Sequence, residues 1–550
     1  MLTRLFALRQ WIYLPLAIVL TWPLALHLPT HLPLGAESAA TVPMFNLWTL
    51  QWNADRLQAL YAHYWHAPIF HDETGAFAFS DPQPLTGLLF APIEMISGNP
   101  VLAYNLVLLL ILTLNGIAAY HLLRGLDIDD ISALLGGALV VGLPFVFREL
   151  GVIQLTVLFP VLFALRYLYA FTQTTTLRHA VGLGLAIGAT FLTSSFYGLF
   201  LSMFLLISPL FLLRRDHFQR EALRNFAVAV LIAVALLAPV VPSQARLTAR
   251  FSRSTETISN NSAEAVDYLR LDTRTLGHDV APWLQTSGGS GQRLYPGTGL
   301  LTLAIIGLIS TRRTTDPRWI NFLRTGIVVA VLISFGLKFN LGEWLPYQTL
   351  RDFYPGLRQM RSPFRMAVFA QLFLLIFAGY GLARLWRWRA LIGRGLVVVI
   401  VTLGMTELLF LPARLHEFPS DLRDAAWVMW LAQQDAGAVA MLPLPGGGRV
   451  REFEFTVESM LQSLEHGHPL VNGYSGLFPS SYREMTGVMN NFPNQASLEL
   501  LRERGVTHVV IDRTWFTDVR QERLREYASQ LERVYADERT TIFRVLSTDT

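Results

Sequence analysis

The 550-residue chain contains no cysteine. Disulfide bonds and thiolate metal centres are therefore excluded, and cysteine usage says nothing about redox compartment. Lysine is nearly absent too: Lys338 is the only one, so arginine carries the positive charge. Charge of either sign is scarce. Asp, Glu, Lys and Arg make up 15% of the residues, against roughly 25% in a soluble domain. The deficit is concentrated in long uncharged runs, in a chain that is 52% hydrophobic. The net charge of +4 is modest, and its arginines lie mainly in short loops between apolar runs. That pattern is a topology signal and argues against a nucleic-acid partner.

A bilayer core is crossed by about 20 apolar residues rising 1.5 Å each. On that criterion about eleven spans are expected, at 10–28, 101–123, 131–147, 152–171, 180–194, 199–213, 226–243, 298–310, 319–338, 366–385 and 394–412. Arg4 and Arg9 precede the first run. That run is long for a signal peptide and holds Trp11, Trp22 and Pro23, so a retained helix is expected. The residues 180–213 are too many for one span, and the polar interruption from Thr193 through Gly198 breaks them.

Arginine sets the orientation. With the N-terminus inside, the short inner loops hold Arg124, Arg178, Arg214, Arg215, Arg220, Arg224, Arg312, Arg313, Arg318, Arg387, Arg389 and Arg394, and the short outer loops hold almost none beyond Arg148. The stretch 244–297 carries six arginines yet lies outside in this scheme; long loops follow the rule weakly. An odd number of spans leaves the tail outside. The expected organisation is a transmembrane domain over 1–412, with a long first outer loop at 29–100, and a separate α/β domain over 413–550. In the tail, 437–445, 507–512 and 541–546 read as strands, and 495–504 and 517–532 as amphipathic helices. The fold class is thus a polytopic α-helical membrane protein of the cytoplasmic (inner) membrane with a C-terminal extracytoplasmic α/β domain.

The first outer loop opens with Glu37 and continues through Asn46-Leu47-Trp48-Thr49-Leu50-Gln51-Trp52-Asn53, followed by Tyr61, Tyr64, Trp65 and Phe70. Such a stretch suits a helix at headgroup level, where Trp and Tyr are favoured. Asp81 sits late in the loop, before Pro82, in a turn-forming setting. Further along stand Ala67-Pro68-Ile69-Phe70, Tyr295-Pro296-Gly297, Arg361-Ser362-Pro363-Phe364-Arg365 and Asn472-Gly473-Tyr474-Ser475-Gly476.

The order of these pieces resembles the GT-C glycosyltransferase superfamily. That superfamily includes oligosaccharyltransferase catalytic subunits, protein O-mannosyltransferases and aminoarabinose transferases. The resemblance is closer to a group of bacterial GT-C-like membrane proteins. It implies transfer of a sugar from a polyprenyl-phosphate donor to a glycan, lipid or protein acceptor at the outer face. It also implies a catalytic acid at the start of the first outer loop, by position Glu37, where an aspartate is usual. A second acidic residue is implied in the turn between the third and fourth spans, where Glu149 follows Arg148. A polyprenyl phosphate leaves without protonation, so one base and cations to hold the phosphate suffice. Arg361 and Arg365 suit the cations, since the guanidinium fork matches phosphate oxygens and Pro363 fixes the backbone between them. Tyr295 hydrogen-bonds a sugar or anchors its helix at the interface; Asp81 is a weaker contact. Taken on their residues alone, Glu37 reads as a loop carboxylate and Arg148–Glu149 as a pair neutralising itself.

No metal site is expected. His63, His66, His71, Asp72 and Glu73 cluster in the first loop without a metal-binding spacing, and the resemblance leaves a divalent cation open. His466-Gly467-His468 reads as a turn. Gly184 and Gly188 suit close helix packing, and Gly446-Gly447-Gly448-Arg449 is a loop lacking the P-loop lysine. A transporter or flippase of lipid-linked glycan is the alternative. It calls for charge in mid-span, and only Arg166 and Glu407 answer that description. A non-catalytic glycan-binding relative is a third reading.

Overall fold

The computed structural model describes residues 9–277, 291–311, 316–388, 390–446, 449–515 and 517–547. Arg4, Arg312, Arg313, Arg389, Gly447 and Gly448 lie outside the described residues. The chain divides into two compact units. One comprises Met1–Leu28 with Asn105–Leu415, and the other Pro29–Tyr104 with His416–Thr550. The first loop therefore groups with the tail, although the sequence organisation had joined it to the helices around it.

In the first unit, apolar runs become helices. Across the chain's described residues, five helical segments are long and apolar enough to cross a membrane: Pro100–Gly125, Asp130–Arg148, Ile153–Gln173, Ser195–Leu212 and Pro363–Arg387. Arg220–Leu237 and Val241–Thr248 form a sixth if read as one span, bent by 57°. Pro239 and Pro242 flank that bend, and each removes a backbone donor. Gln10–Leu20, Leu177–Thr193 and Thr298–Ser310 are shorter apolar helices. The first helix stops at Leu20, well before residue 28, with Thr21 already out of helical conformation (φ −101°, ψ 9°) two residues ahead of Pro23. The expected break in 180–213 falls at Ser194, which is extended (φ −153°, ψ 107°) between two helices.

Small residues set the helix crossings. A Cβ at Gly307 would overlap the carbonyl oxygen of Phe377, and one at Gly381 that of Leu303. Only glycine permits so close an approach of Thr298–Ser310 to Ala367–Arg387. Gly184 likewise faces Ala229 and Ile232, and Gly188 faces Leu236, so these two do serve helix packing. Aromatic rings fill the wider gaps: Phe369 lies 5.1 Å from Phe204, 6.0 Å from Phe200 and 6.2 Å from Tyr197. Glu407 is not in mid-span; it ends the helix Ala390–Glu407.

The arginines of 244–297 are largely consumed locally. Arg274 Nη2 stands 2.6 Å from Asp272 and its Nε 2.8 Å, with Arg293 at 4.0 Å. Burial alone would raise the Asp272 carboxyl, but this guanidinium fork holds it below the usual range. Arg270 pairs with Asp267 at 3.7 Å, and Arg253 donates to the Gln359 carbonyl. The charge of Arg270, Arg274 and Arg293 answers neighbouring carboxylates, which is why they carry little topological information.

The second unit holds a four-stranded sheet of β1 (Ala438–Leu442), β2 (Val506–Asp512), β3 (Leu531–Ala536) and β4 (Thr540–Val545), in the order β1-β2-β4-β3. β1 and β2 are parallel, with Met441 opposite Val510; the other pairings are antiparallel. The expected helix over 517–532 ends at Glu526, and its last residues belong to edge strand β3. The loop helix Thr41–Gln58 is buried almost continuously from Pro43 to Ala54. It is a core helix of this unit and not one lying among headgroups. Phe45 meets Tyr474 edge-on at 5.2 Å, Trp48 meets Phe77 at 6.0 Å, and Trp52 Nε1 donates to the Tyr64 carbonyl at 2.9 Å.

Two of the sequence motifs meet here. The Phe70 N–H donates to the Asn472 carbonyl, and Leu470 N–H to the Pro68 carbonyl, both at 3.0 Å. The Asn472 side chain grips the Met441 backbone through N–H and carbonyl, each at 2.8 Å. A side chain at Gly473 would collide with the Phe70 ring. Asn472-Gly473 is thus a packed splice beside β1.

Candidate active site

The first unit brings together Arg148, Glu149 and Arg365. The helix Pro144–Arg148 ends at Arg148, and Glu149 follows as its C-terminal cap. Glu149 is 6% exposed. A carboxylate at that depth needs a partner, and Arg148 Nε supplies one at 3.3 Å. The same guanidinium donates to the backbone carbonyl of Gln292 and to its side-chain oxygen, the latter at 2.9 Å. It also lies 4.5 Å from the centre of the Phe364 ring. Arg148 is therefore engaged on every side by its own chain, and its place is that of counter-ion to Glu149.

Arg365 approaches that same Phe364 ring at 6.0 Å and Phe196 at 4.9 Å. Such contacts are each worth about 0.5–2 kcal/mol. Tyr197, next to Phe196, lies in electrostatic range of both Glu149 and Arg365, and its hydroxyl donates to the Leu155 carbonyl at 2.6 Å. Arg361 stands apart from this mesh. It is half-buried, and among the described residues it has no hydrogen-bond or ion-pair partner. The turn that follows is fixed by the Phe364 N–H donating to the Asn261 carbonyl at 3.3 Å, and by Pro363. Tyr295 is 7% exposed, its hydroxyl 2.7 Å from that of Thr298. Burial raises its phenol above the usual range. This is the setting of a helix anchor.

The second unit holds Glu37 and Asp81. Glu37 is half-buried in a turn after Gly35, whose φ is 54°, and its N–H donates to the Leu34 carbonyl at 3.0 Å. Asp81 is buried and lies in electrostatic range of Tyr64. The chain after it is tied to the loop helix: Asn53 donates to the Pro82 carbonyl at 2.7 Å, and Gln83 to the Asn46 side chain at 2.9 Å. The polar stripe of that helix serves its own fold.

Asp72 pairs with Arg504, and Glu73 accepts from Ser481 at 2.7 Å. Among the described residues no three His, Asp or Glu side chains are grouped to hold a metal ion. His468 faces the carbonyls of Gly437 at 3.2 Å and Leu431 at 2.9 Å, and the expected turn is made at Gly467, whose φ of 74° is left-handed. Sequence reasoning missed Gln292, Phe196 and Phe364 as the side chains that hold the arginines. Only the adjacency of Phe364 to Arg365 hinted at one of them.

The family described as "Domain of unknown function (DUF6311)" matches residues 59–406, more than half of the chain. The chain belongs to this family. No curated protein matches it. Among solved structures, the arabinofuranosyltransferase AftD from Mycobacteria is similar over 100% of this chain and 40% of its own, with a TM-score of 0.65 at 14% identity. The oligosaccharyltransferase of Archaeoglobus fulgidus, in its apo form, is similar over 93% of this chain and 69% of its own, with a TM-score of 0.53 at 11% identity. This DUF6311 chain thus spans well under half the length of the mycobacterial protein. At these identities the likeness is one of fold alone.

Proposed function

We propose that this DUF6311 protein is a membrane glycosyltransferase that moves a sugar from a polyprenyl-phosphate donor to an acceptor at the outer face of the cytoplasmic membrane. The observation that carries the reading is the fold likeness along the complete chain to a protein named for arabinofuranosyl transfer. The guanidinium of Arg361, which has no hydrogen-bond or ion-pair partner among the described residues and stands two residues before the proline that opens an apolar helix, supports it. In this reading the chain has about eleven spans, an inside N-terminus and an outer C-terminal α/β domain. Glu37 removes the acceptor proton and the sugar is transferred with inversion. Arg361 and Arg365 steady the departing lipid phosphate, where charge develops as the bond breaks. Glu149, held by Arg148, orients the acceptor or a divalent cation. Asp81 and Tyr295 support the sugar site through their surroundings.

The test is transfer from synthetic polyprenyl-phosphate pentoses and hexoses by the purified protein in liposomes, with product stereochemistry read by NMR. Glu37→Gln abolishes turnover while leaving donor binding intact. Full turnover in that variant removes Glu37 from the mechanism, and no transfer from any such donor by the parent protein removes the reading.

A further inference from the structure

The tail segment of the second unit forms a half-open cavity of about 500 Å³, a size typical of small-molecule sites. Met441 of β1, and Val510 and Asp512 of β2, line it towards the carboxyl ends of the two parallel strands. That end of a parallel pair is where open α/β sheets bind ligands. One wall is the helix Glu454–His466. Phe455, Glu458 and Gln462 recur on it at spacings of three and four, so they share one face, and all three line the cavity. With Trp427, Met441 and Val510, Phe455 gives the cavity an apolar side.

The polar side is lopsided: six carboxylates face one guanidinium, that of Arg539. Asp512 and Asp537 accept hydrogen bonds from the backbone of their own turns. Asp421, Asp424, Glu458 and Glu538 have no hydrogen-bond or ion-pair partner among the described residues. Gln462 supplies an independent observation. It is 8% exposed, lines the cavity, and its amide has no hydrogen-bond partner among the described residues. The amide atoms are not sealed from solvent, so this otherwise buried side chain offers the cavity a donor and an acceptor. The described carboxylates are not grouped in threes for a metal ion, so the charge they call for is spread over an organic body.

We propose that this cavity binds a small organic cation, an ammonium group on a body with a polar group for Gln462 and an apolar face for Trp427 and Phe455. An amino sugar and a polyamine share that chemistry. The inference does not rest on glycosyl transfer. Burial, then Glu454, push the Glu458 carboxyl up to about 7, with Asp512 and Asp421 adding and Arg539 opposing. Asp424, Asp537 and Glu538 complete the charges facing the cavity. Binding therefore strengthens as pH rises towards neutrality, where Glu458 becomes anionic and the amine is still protonated.

The test is calorimetric titration of the full-length protein in detergent with glucosamine, spermidine, N-acetylglucosamine and magnesium chloride. One amine binds about tenfold or more tightly than N-acetylglucosamine, and more tightly at about pH 7 than at about pH 5.5, a window in which both amines stay largely protonated. Which amine does so separates amino sugar from polyamine. Glu458→Gln weakens it about tenfold, and Gln462→Ala weakens it too. Asp421→Asn, at an exposed position, carries the charge test should Glu458→Gln not fold. Three results overturn the proposal: neither amine surpasses N-acetylglucosamine; magnesium binds more tightly than both; or Glu522→Gln, on the exposed face of Asp518–Glu526, loses as much as the cavity variant.

Discussion

The carboxylate of Glu407 accepts a hydrogen bond at 2.8 Å from the backbone N–H of Thr298. It joins the last turn of Ala390–Glu407 to the first turn of Thr298–Ser310, where helical N–H groups lack internal partners and the dipole favours an anion. Gly404 and Gly299 pack backbone to backbone one turn away. Glu407→Ala is expected to cost about 1 kcal/mol, and Glu407→Gln less, read as a lower apparent Tm of the purified protein.

Removing Arg148 strands Glu149 in a buried position. Arg148→Ala is expected to cost about 3–5 kcal/mol, the usual effect of leaving one buried charge unpaired. Glu149→Gln costs less, and adding it to Arg148→Ala recovers part of the loss. A double-mutant cycle followed by thermal unfolding measures the coupling; a cycle without coupling contradicts the pairing.

Arg361 and Arg365 separate by what each loses. Arg361→Ala breaks no hydrogen bond or ion pair among the described residues, so its stability stays within about 1 kcal/mol of the parent, while transfer falls on the order of a hundredfold. Arg365→Ala forfeits its contacts with Phe196 and Phe364 and lowers Tm as well. Equal stability losses in the two variants would contradict this division.

Gly381→Leu places a side chain where the Leu303 carbonyl already stands. The two helices must separate, at a cost of roughly 3 kcal/mol or more. The measurement is the yield of monodisperse protein on size exclusion, with Gly395→Ala, which meets nothing within 4 Å, as the tolerated control.

The stability of the second unit is tied to Glu458. Its folded carboxyl titrates at about 7, against an ordinary value of 4.5. Between those values the folded state holds the proton more tightly than the unfolded one, so stability falls as pH rises through that window. Glu458→Gln removes the burden. Its apparent Tm should exceed the parent's at pH 8, by the equivalent of about 1–3 kcal/mol, and match it near pH 4. A gain that persists unchanged at low pH would contradict the assignment.

The apolar runs were legible because hydrophobic length alone decides them: 101–123 is found as Pro100–Gly125 and 366–385 within Pro363–Arg387. The break at Ser194 was legible from its polar neighbours. β3 was not, because an edge strand with an exposed middle shows no apolar alternation. The burial of Trp48 and Asn53 was hidden for another reason. Their helix has an interfacial composition, and its partners Tyr474 and Tyr64 stand at very different distances along the chain. Arg361 and Arg365 share one motif, yet Phe196 distinguishes them, and no spacing rule announces that ring. Glu458 drew no notice because the acidic residues that share its cavity come from three other segments of the chain.

That Pro29–Tyr104 and His416–Thr550 form one compact body has a consequence for biosynthesis. The ribosome makes the first piece more than three hundred residues before the second. Until the last segment emerges, Phe45 and Phe70 have no Tyr474 or Tyr482 to cover them. A nascent chain halted near residue 415 carries this half-built core without its cover, and is the form that quality-control proteases should recognise first.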